Sequence, residues 1–273
     1  MKAGIVISWL GAWLFVSAGS AQVFSFRGDA RSLGMAGTGS LHSGAFSAIA
    51  NPSALANIQS SSFAFTFENH YGIDGLETGG FSLAIPARPG IFGAAFISSG
   101  YAGLIYNQAS VCYGRKLGGR ISAGVGFHIM NINQPAGYTD LYAVVPSLGI
   151  RLEPLKSLTV ALSVFNPVSQ DFHPTGYAEL PAYLTAGTAY HLGKEVMLCF
   201  ETIISSTGPI GISGGIEAAI AEKIFFRFGM GKKIQPYFSF GMGYRCNRLT
   251  IDFAVFRHTV LGFSPSAGLG YTL

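Results

Sequence analysis

Apolar residues alternate with small or polar residues along most of the chain beyond residue 61. In the first such stretch, Phe63, Phe65 and Phe67 are interleaved with Ala64 and Thr66. The same alternation returns in residues 121–129, 158–164, 224–231, 238–244 and 249–255. Successive side chains of a β-strand point to opposite faces, so this period of two predicts strands with one apolar face. Apolar-out and polar-in alternation is typical of a transmembrane antiparallel β-barrel.

Turn signals divide residues 61–273 into about 14 strands of about 10 residues each, an even number as in bacterial single-chain barrels. Tight connections are expected at residues 86–90, 117–120, 153–157, 192–195, 221–223 and 245–248. Looser connections are expected at residues 72–77, 133–141, 166–181 and 257–266. Because short turns of such barrels face the periplasm and long loops face outward, the first strand is expected to run outward.

Composition supports membrane insertion through strands. Hydrophobic residues make up 49% of the chain and charged residues 11%, and the mean hydropathy is +0.40. Beyond the first 21 residues, no run of about 18 apolar residues could cross a membrane as a helix. Backbone amides in lipid must be paired, which a closed barrel achieves. We therefore expect an all-β barrel in the lipid bilayer of the outer membrane, its wall rich in the 37 glycines and 22 phenylalanines.

The N-terminus has the pattern of a secretory signal peptide. Met1 and Lys2 precede an apolar run from Ala3 to Val16, and small residues follow as far as Ala21. We predict a signal peptide over residues 1–21, with cleavage after Ala18 as the alternative. A retained anchor is disfavoured because the apolar run is shorter than the roughly 18 to 20 residues a spanning helix needs.

A segment without the period of two lies between the signal peptide and the strands. From Arg27 to Ile58 the chain is rich in small residues and nearly uncharged. We expect residues 22–60 to form a plug inside the lumen and residues 61–273 to form the barrel around it.

Charge is distributed unevenly between the two sets of connections. The tight turns carry basic residues, namely Arg88, Arg115, Lys116, Arg120, Lys156, Lys194, Lys223, Arg245 and Arg248. The loose loops carry acidic residues, namely Asp74, Glu77, Asp140, Asp171 and Glu179. A basic periplasmic rim favours contact with anionic phospholipid over nucleic-acid binding.

Little in the sequence indicates an enzyme, a metal site or a cofactor. Cys112, Cys199 and Cys246 are odd in number and widely spaced, so buried free thiols are expected, with one disulfide at most as the alternative. The six histidines are scattered without metal-ligand or nucleophile-base spacing. Residues 211–215 match G-x-S-x-G, but that motif has meaning only at a strand-to-helix turn, and here it lies in alternating sequence. We predict a protein without catalytic activity.

Several ionisable residues fall on the predicted inner face of the wall. They are Glu68, His128, Arg151, Glu201, Glu217, Arg227 and Asp252. They could line a solute path or bind a substrate head group. The favoured alternative is that they pair with one another and with the plug, because unpaired buried charges are costly. With the plug, Phe225 and Phe256 also inside, an open diffusion pore is not expected.

Two stretches of the plug carry a family resemblance. Residues 30–37 read ARSLGMAG, with Arg31, Gly34 and Gly37, and residues 50–56 read ANPSALA, with Asn51 and Pro52. Together they resemble the N-terminal region of the FadL-type outer-membrane superfamily, which includes fatty acid transporters and the PorV and PorQ barrels of type IX secretion. The resemblance implies a 14-stranded wall with an N-terminal hatch.

The plug motif also departs from the family pattern. Ala36 replaces a usual glycine, Ser53 and Ala54 replace Ala-Gly, and the acidic residues that commonly precede the Asn-Pro turn are absent. These departures and the short chain favour the PorV/PorQ-like branch. In physical terms, Asn51-Pro52 is a turn former, while the plug glycines, Gly39 included, allow close backbone packing.

The first functional hypothesis is a non-enzymatic subunit or docking platform of a cell-surface or type IX-like secretion complex. Its partners would be other outer-membrane or surface proteins. Aromatic loop residues would contact them, namely Tyr138, Tyr142, Phe172, His173, Tyr177 and Tyr183. An interfacial aromatic belt is an equally favoured role for these residues.

The second hypothesis is transport of a hydrophobic small molecule, fatty-acid-like, through the plugged barrel and out sideways through the wall. Lateral exit needs a break in strand pairing. Pro146 is the best candidate, because proline cannot donate to the ladder. We rank the complex-subunit hypothesis above this one.

Overall fold

The protein, described by a computed structural model over residues 26, 28–173 and 180–273, is a closed antiparallel β-barrel of 14 strands. The predicted fold class is confirmed. The predicted signal peptide over residues 1–21, together with Arg27 and Tyr177, lies outside the described residues. None of the helices in the described part has the length and apolar character needed to cross a membrane.

Each strand pairs with its neighbours in sequence, and β1 closes the barrel against β14, with Ser62 opposite Thr272. The strands are β1 Ser62–Asn69, β2 Glu77–Ala87, β3 Gly90–Tyr101, β4 Leu104–Lys116, β5 Ile121–Asn133, β6 Leu141–Leu155, β7 Leu158–Phe165, β8 Tyr183–Leu192, β9 Val196–Ser205, β10 Gly211–Ile220, β11 Ile224–Lys232, β12 Pro236–Cys246, β13 Leu249–His258 and β14 Gly262–Thr272.

The outer face of the wall is apolar. Phe127 is 62% exposed and Phe240 is 59% exposed, whereas His128 and Ser239, their neighbours in sequence, are fully buried. Such exposed apolar side chains are suited to lipid contact, because transmembrane barrels have an apolar band on their outer surface. The fold is therefore that of an outer-membrane barrel, as the alternation predicts.

The connections follow the predicted asymmetry with two corrections. Residues 259–261 alone join β13 to β14, so the loose loop expected at residues 257–266 is wrong. At the outer end, only Ala102 and Gly103 join β3 to β4. Both have positive φ, 51° and 88°, the backbone that matches a tight hairpin to strand twist. Outer connections therefore range from two residues to the long β7–β8 loop.

Residues 28–60 lie inside the barrel in short helices joined by turns. The helices are α1 Ala30–Leu33, α2 Ser47–Ala50 and two 3₁₀ helices, Gly39–Leu41 and Pro52–Asn57. Asp29 begins α1 by accepting a hydrogen bond from Ser32 N at 3.0 Å. Asn51 begins the last helix in the same way, accepting from Ser53 N at 3.0 Å. Asn51 is fully buried, which places this turn against the wall.

Glycines of the wall give the plug its close contacts. A side-chain carbon at Gly124 would collide with the backbone of Pro52, and one at Gly229 would collide with that of Ala36. Other glycines in tight contact with plug residues are Gly93, Gly114, Gly149, Gly187, Gly215 and Gly241. Gly39, by contrast, has ordinary room for a methyl group, so its predicted role in close packing is wrong.

Candidate functional site

A cavity of about 530 Å³ lies in the lumen between the plug and the outer end of the barrel. Gly37, Ser40 and Pro52 contribute plug surface to it. Large apolar or aromatic side chains on its wall are Tyr106, Met130, Phe165, Ile203, Tyr237 and Phe256. Polar wall residues are Gln108, Ser147, Ser163, Thr185, Glu201 and Ser213. The result is a mostly apolar chamber with a band of polar groups, the usual character of a small-molecule site.

Most of these lining residues were not singled out from the sequence. They occupy inward positions of the alternation, so that pattern placed them on the correct face of the wall. It carries no information about height along the barrel, and it therefore cannot separate residues beside the cavity from those beside the plug.

Below the cavity, four charged side chains join the plug to the wall. Arg31 of the plug donates to Glu217 through Nε at 3.0 Å and through a terminal nitrogen at 2.6 Å. Arg227 donates to the same carboxylate at 2.6 Å and to Asp252 at 2.7 Å. The cluster holds two cations and two anions, so its charge is balanced. The structure thus brings together Glu217, Arg227 and Asp252, three of the predicted inward residues.

Two plug residues near this cluster, Arg31 and His42, have shifted pKa values. Burial by itself would lower the pKa of Arg31, but Glu217 beside it more than offsets burial and holds that pKa above its usual value. His42, also in the plug, has a pKa well below its usual range, mainly through burial and also through Arg31. Arg31 is therefore charged and His42 neutral when the plug is docked.

Other predicted inward residues contact the plug or near neighbours. Arg151 donates to the Leu41 carbonyl at 2.9 Å and pairs with Glu153 at 3.1 Å. Glu201 accepts a hydrogen bond from Ser40 N at 3.1 Å and another from the Ser40 hydroxyl. Glu68 lies 3.3 Å from a ring nitrogen of His70. These contacts favour the expectation that inward charges pair with one another and with the plug, although Glu201 is bonded through only one of its two oxygens.

His128 is the remaining predicted inward residue, and it bridges two serines. Its Nε2 lies 2.8 Å from Ser147 Oγ and its Nδ1 lies 2.8 Å from Ser110 Oγ. The Gln108 amide nitrogen, which can only donate, lies 3.2 Å from Nδ1. Tyr106 donates to the Gln108 carbonyl oxygen at 3.4 Å, which supports that orientation of the amide.

Both ring nitrogens of His128 therefore have hydrogen-bond partners within the wall. An acceptor Nδ1 facing the Gln108 amide places the ring proton on Nε2, which then donates to Ser147. The G-x-S-x-G match at residues 211–215 lies within β10 and not at a strand-to-helix turn. Within the described residues, no group of three or more His, Cys, Asp or Glu could hold a metal ion.

The aromatic loop residues do not form one exposed set. Tyr138 is 73% exposed and Tyr142 is 52% exposed. Phe172 is only 2% exposed and packs with Met130 and Val145 on the inner side of the wall. The expectation that Phe172 is an exposed contact residue is therefore wrong. Its neighbours are remote in sequence, so no local pattern could have revealed its burial.

The wall beside Pro146 is closed partly by a strand and partly by a loop. On one side β5 pairs across Pro146, with Phe127 opposite. On the other side the β6–β7 ladder begins only at Ser147, and the Pro146 carbonyl accepts from Asn166 N at 3.0 Å. Farther outward, β6 meets the β7–β8 loop through a bridge between Tyr142 and His173, with hydrogen bonds of 2.8 and 2.7 Å.

No family model matches the sequence, and no curated protein matches it. The fold is similar to three solved outer-membrane structures. The Ralstonia pickettii toluene transporter TbuX aligns over 92% of this chain and 100% of its own, at 13% identity and a TM-score of 0.69. The Pseudomonas putida toluene transporter TodX aligns over 91% and 98%, at 13% identity and a TM-score of 0.68. A Pseudomonas aeruginosa FadL homologue aligns over 90% and 98%, at 12% identity and a TM-score of 0.65.

Proposed function

We propose that this protein carries a small hydrophobic solute across the outer membrane through the plugged barrel. The observation that carries the proposal is the cavity of about 530 Å³ above the plug, walled largely by apolar and aromatic side chains. A chamber of this size and lining suits one small apolar molecule. Two proteins of similar fold are toluene transporters, which supports the same solute class.

Passage beyond the cavity requires a change in the plug or in the wall. The plug is held by the charged cluster around Glu217 and by hydrogen bonds such as that from Ala36 N to Ser239 Oγ at 2.8 Å. Beside Pro146 a loop replaces β7 as the neighbour of β6, so regular strand pairing is interrupted on that side. Sideways exit at this point remains the proposed alternative to passage through the plug.

The complex-subunit hypothesis receives no support from the similar structures, which are solute transporters and a FadL homologue. Nor do they support the PorV/PorQ-like branch. The burial of Phe172 removes one of the aromatic residues on which the hypothesis depended. Tyr138 and Tyr142 are exposed and could still contact a partner, so protein binding through these loops stays a prediction.

The test is uptake of radiolabelled toluene by cells that carry the barrel in their outer membrane, because an apolar solute crosses a plain lipid bilayer unaided. Thr185→Trp places a large side chain in the cavity, since Thr185 lines it. Leu184→Trp is the matched control, because Leu184 is the preceding residue of β8 and is 36% exposed. We expect Thr185→Trp to abolish protein-dependent uptake and Leu184→Trp to preserve it. Equal uptake by both variants, with folding verified by heat-dependent gel mobility, would refute the proposal.

A further inference from the structure

Glu201 presents an unsatisfied carboxylate oxygen to the cavity. The side chain is 2% exposed, and both of its hydrogen bonds, from the amide and the hydroxyl of Ser40, end on Oε2. Among the described residues, Oε1 has no hydrogen-bond partner and Glu201 forms no ion pair. Glu201 lines the cavity, so this oxygen is available to a bound molecule.

The neighbours of Glu201 belong to the polar band of the cavity wall. Ser213 of β10 lies directly opposite Glu201 in the ladder, and Thr185 of β8 lies opposite Ile203, one inward position farther along β9. All four residues line the cavity. Side chains at such positions of neighbouring strands are within contact distance of one another. A solute at this wall therefore meets hydrogen-bonding groups on one side and the apolar chamber on the other.

We propose that Glu201 selects solutes with an apolar body and a hydrogen-bond-donating head group, such as a phenol, an alcohol or an amine. This inference rests on the proposed transport function and names the solute class. A donor satisfies Oε1, whereas a plain hydrocarbon leaves it buried without a partner. A solute carboxylate is repelled by the Glu201 charge in a site of low dielectric constant. Sites built around a buried hydrogen-bonding group discriminate strongly against analogues that lack its complement.

The other charged group on the cavity suggests the opposite selectivity. Lys233, in the β11–β12 connection, also lines the chamber and could attract an anionic head group. Its side chain does not pair with Glu201. A phenol and a carboxylate with the same apolar body therefore distinguish the two residues. Tighter binding of the phenol indicates Glu201, and tighter binding of the carboxylate indicates Lys233.

The test compares three solutes of nearly one shape: 4-pentylphenol, pentylbenzene and 4-pentylbenzoate. Equilibrium dialysis of the full detergent-purified protein at about pH 8.5, which keeps Glu201 ionised and the phenol neutral, measures each affinity, corrected with protein-free micelles. We expect 4-pentylphenol to bind about tenfold more tightly than pentylbenzene, the scale of one hydrogen bond to a charged acceptor. The benzoate is expected to bind most weakly.

Glu201→Gln gives the sharper test, because it keeps the shape of the side chain. Ser40 N can only donate, so the glutamine carbonyl must turn toward it and the amide NH₂ must face the cavity. The group facing the solute then changes from an acceptor to a donor. We expect the affinity ratio of benzoate to phenol to rise at least tenfold in this variant.

Glu153→Gln is the matched control. Glu153 is also a wall carboxylate that accepts from the plug, from Asn57 at 2.8 Å, but it does not line the cavity. Its substitution should leave all three affinities unchanged. If pentylbenzene and the phenol bind equally and Glu201→Gln does not shift the ratio, the role of Glu201 is refuted while transport stands. The same holds if the benzoate binds most tightly in the unaltered protein. If none of the three binds, the proposed function itself fails.

Discussion

Removing the charge of Glu217 should release the plug. Its carboxylate accepts from Arg31 at 3.0 and 2.6 Å and from Arg227 at 2.6 Å, and its side chain is 8% exposed. In Glu217→Gln two guanidinium groups face one another, with Asp252 as the one carboxylate hydrogen-bonded to them. The amide NH₂ of the glutamine also points toward a guanidinium donor. Breaking a buried ion pair from one side costs about 3 to 5 kcal/mol. We expect plug docking to weaken by that amount.

Arg31→Met should cost less, about 2 kcal/mol, because Arg227 still neutralises Glu217 and Arg31 is partly exposed. The double variant Arg31→Met, Glu217→Gln removes one charge of each sign and leaves the Arg227–Asp252 pair intact. Its cost should therefore fall below the sum of the single costs by about 2 kcal/mol or more.

Hydrogen-deuterium exchange of residues 30–57 in detergent measures the free energy of plug opening directly. A loss of about 3 kcal/mol accelerates exchange on the order of 100-fold. Wall amides of β3 and β4 provide the internal control, since they lie outside the charged cluster. Unchanged plug exchange in Glu217→Gln would show that the cluster does not hold the plug. Additive costs in the double variant would show that Arg31 and Glu217 are not coupled.

Three further predictions concern the plug and the wall. Because the docked pKa of His42 is lowered, the released plug binds more protons below about pH 6.5. Docking should therefore weaken as the pH falls from about 7 to 5, and His42→Gln should reduce that dependence. The fraction of open channels in planar bilayers measures docking. Gly124→Val should displace Pro52 and raise basal conductance, whereas Gly79→Val, at a glycine with nothing within 4 Å, should not. Phe172→Ala should destabilise the β7–β8 loop by about 3 to 5 kcal/mol, detected as faster proteolysis of that loop.

The amino-acid sequence alone is enough to predict the barrel and, in the alternating stretches, the face of the wall on which each residue lies. Successive residues of a strand face lipid and lumen in turn, so they alternate between apolar and polar. This alternation can be read from neighbouring residues without knowledge of the fold. Phe127 and His128 show this, since the outward residue is apolar and exposed and the inward residue is polar and buried. Composition was equally sufficient to mark residues 27–58 as different from the wall.

Contacts between residues remote in sequence depend on the tertiary structure and could not be predicted. Arg31 and Glu217 are 186 residues apart, and their contact depends on how deeply α1 enters the lumen and on the register of β10. Phe172 is buried because its loop packs against β6. Glu201 lies at the boundary between plug and cavity, because it bonds to Ser40 of the plug and also lines the cavity. Alternation predicts whether a side chain points to lipid or to the lumen. Its position along the barrel axis and the residues that it contacts depend on strand register and plug docking, which no local pattern encodes.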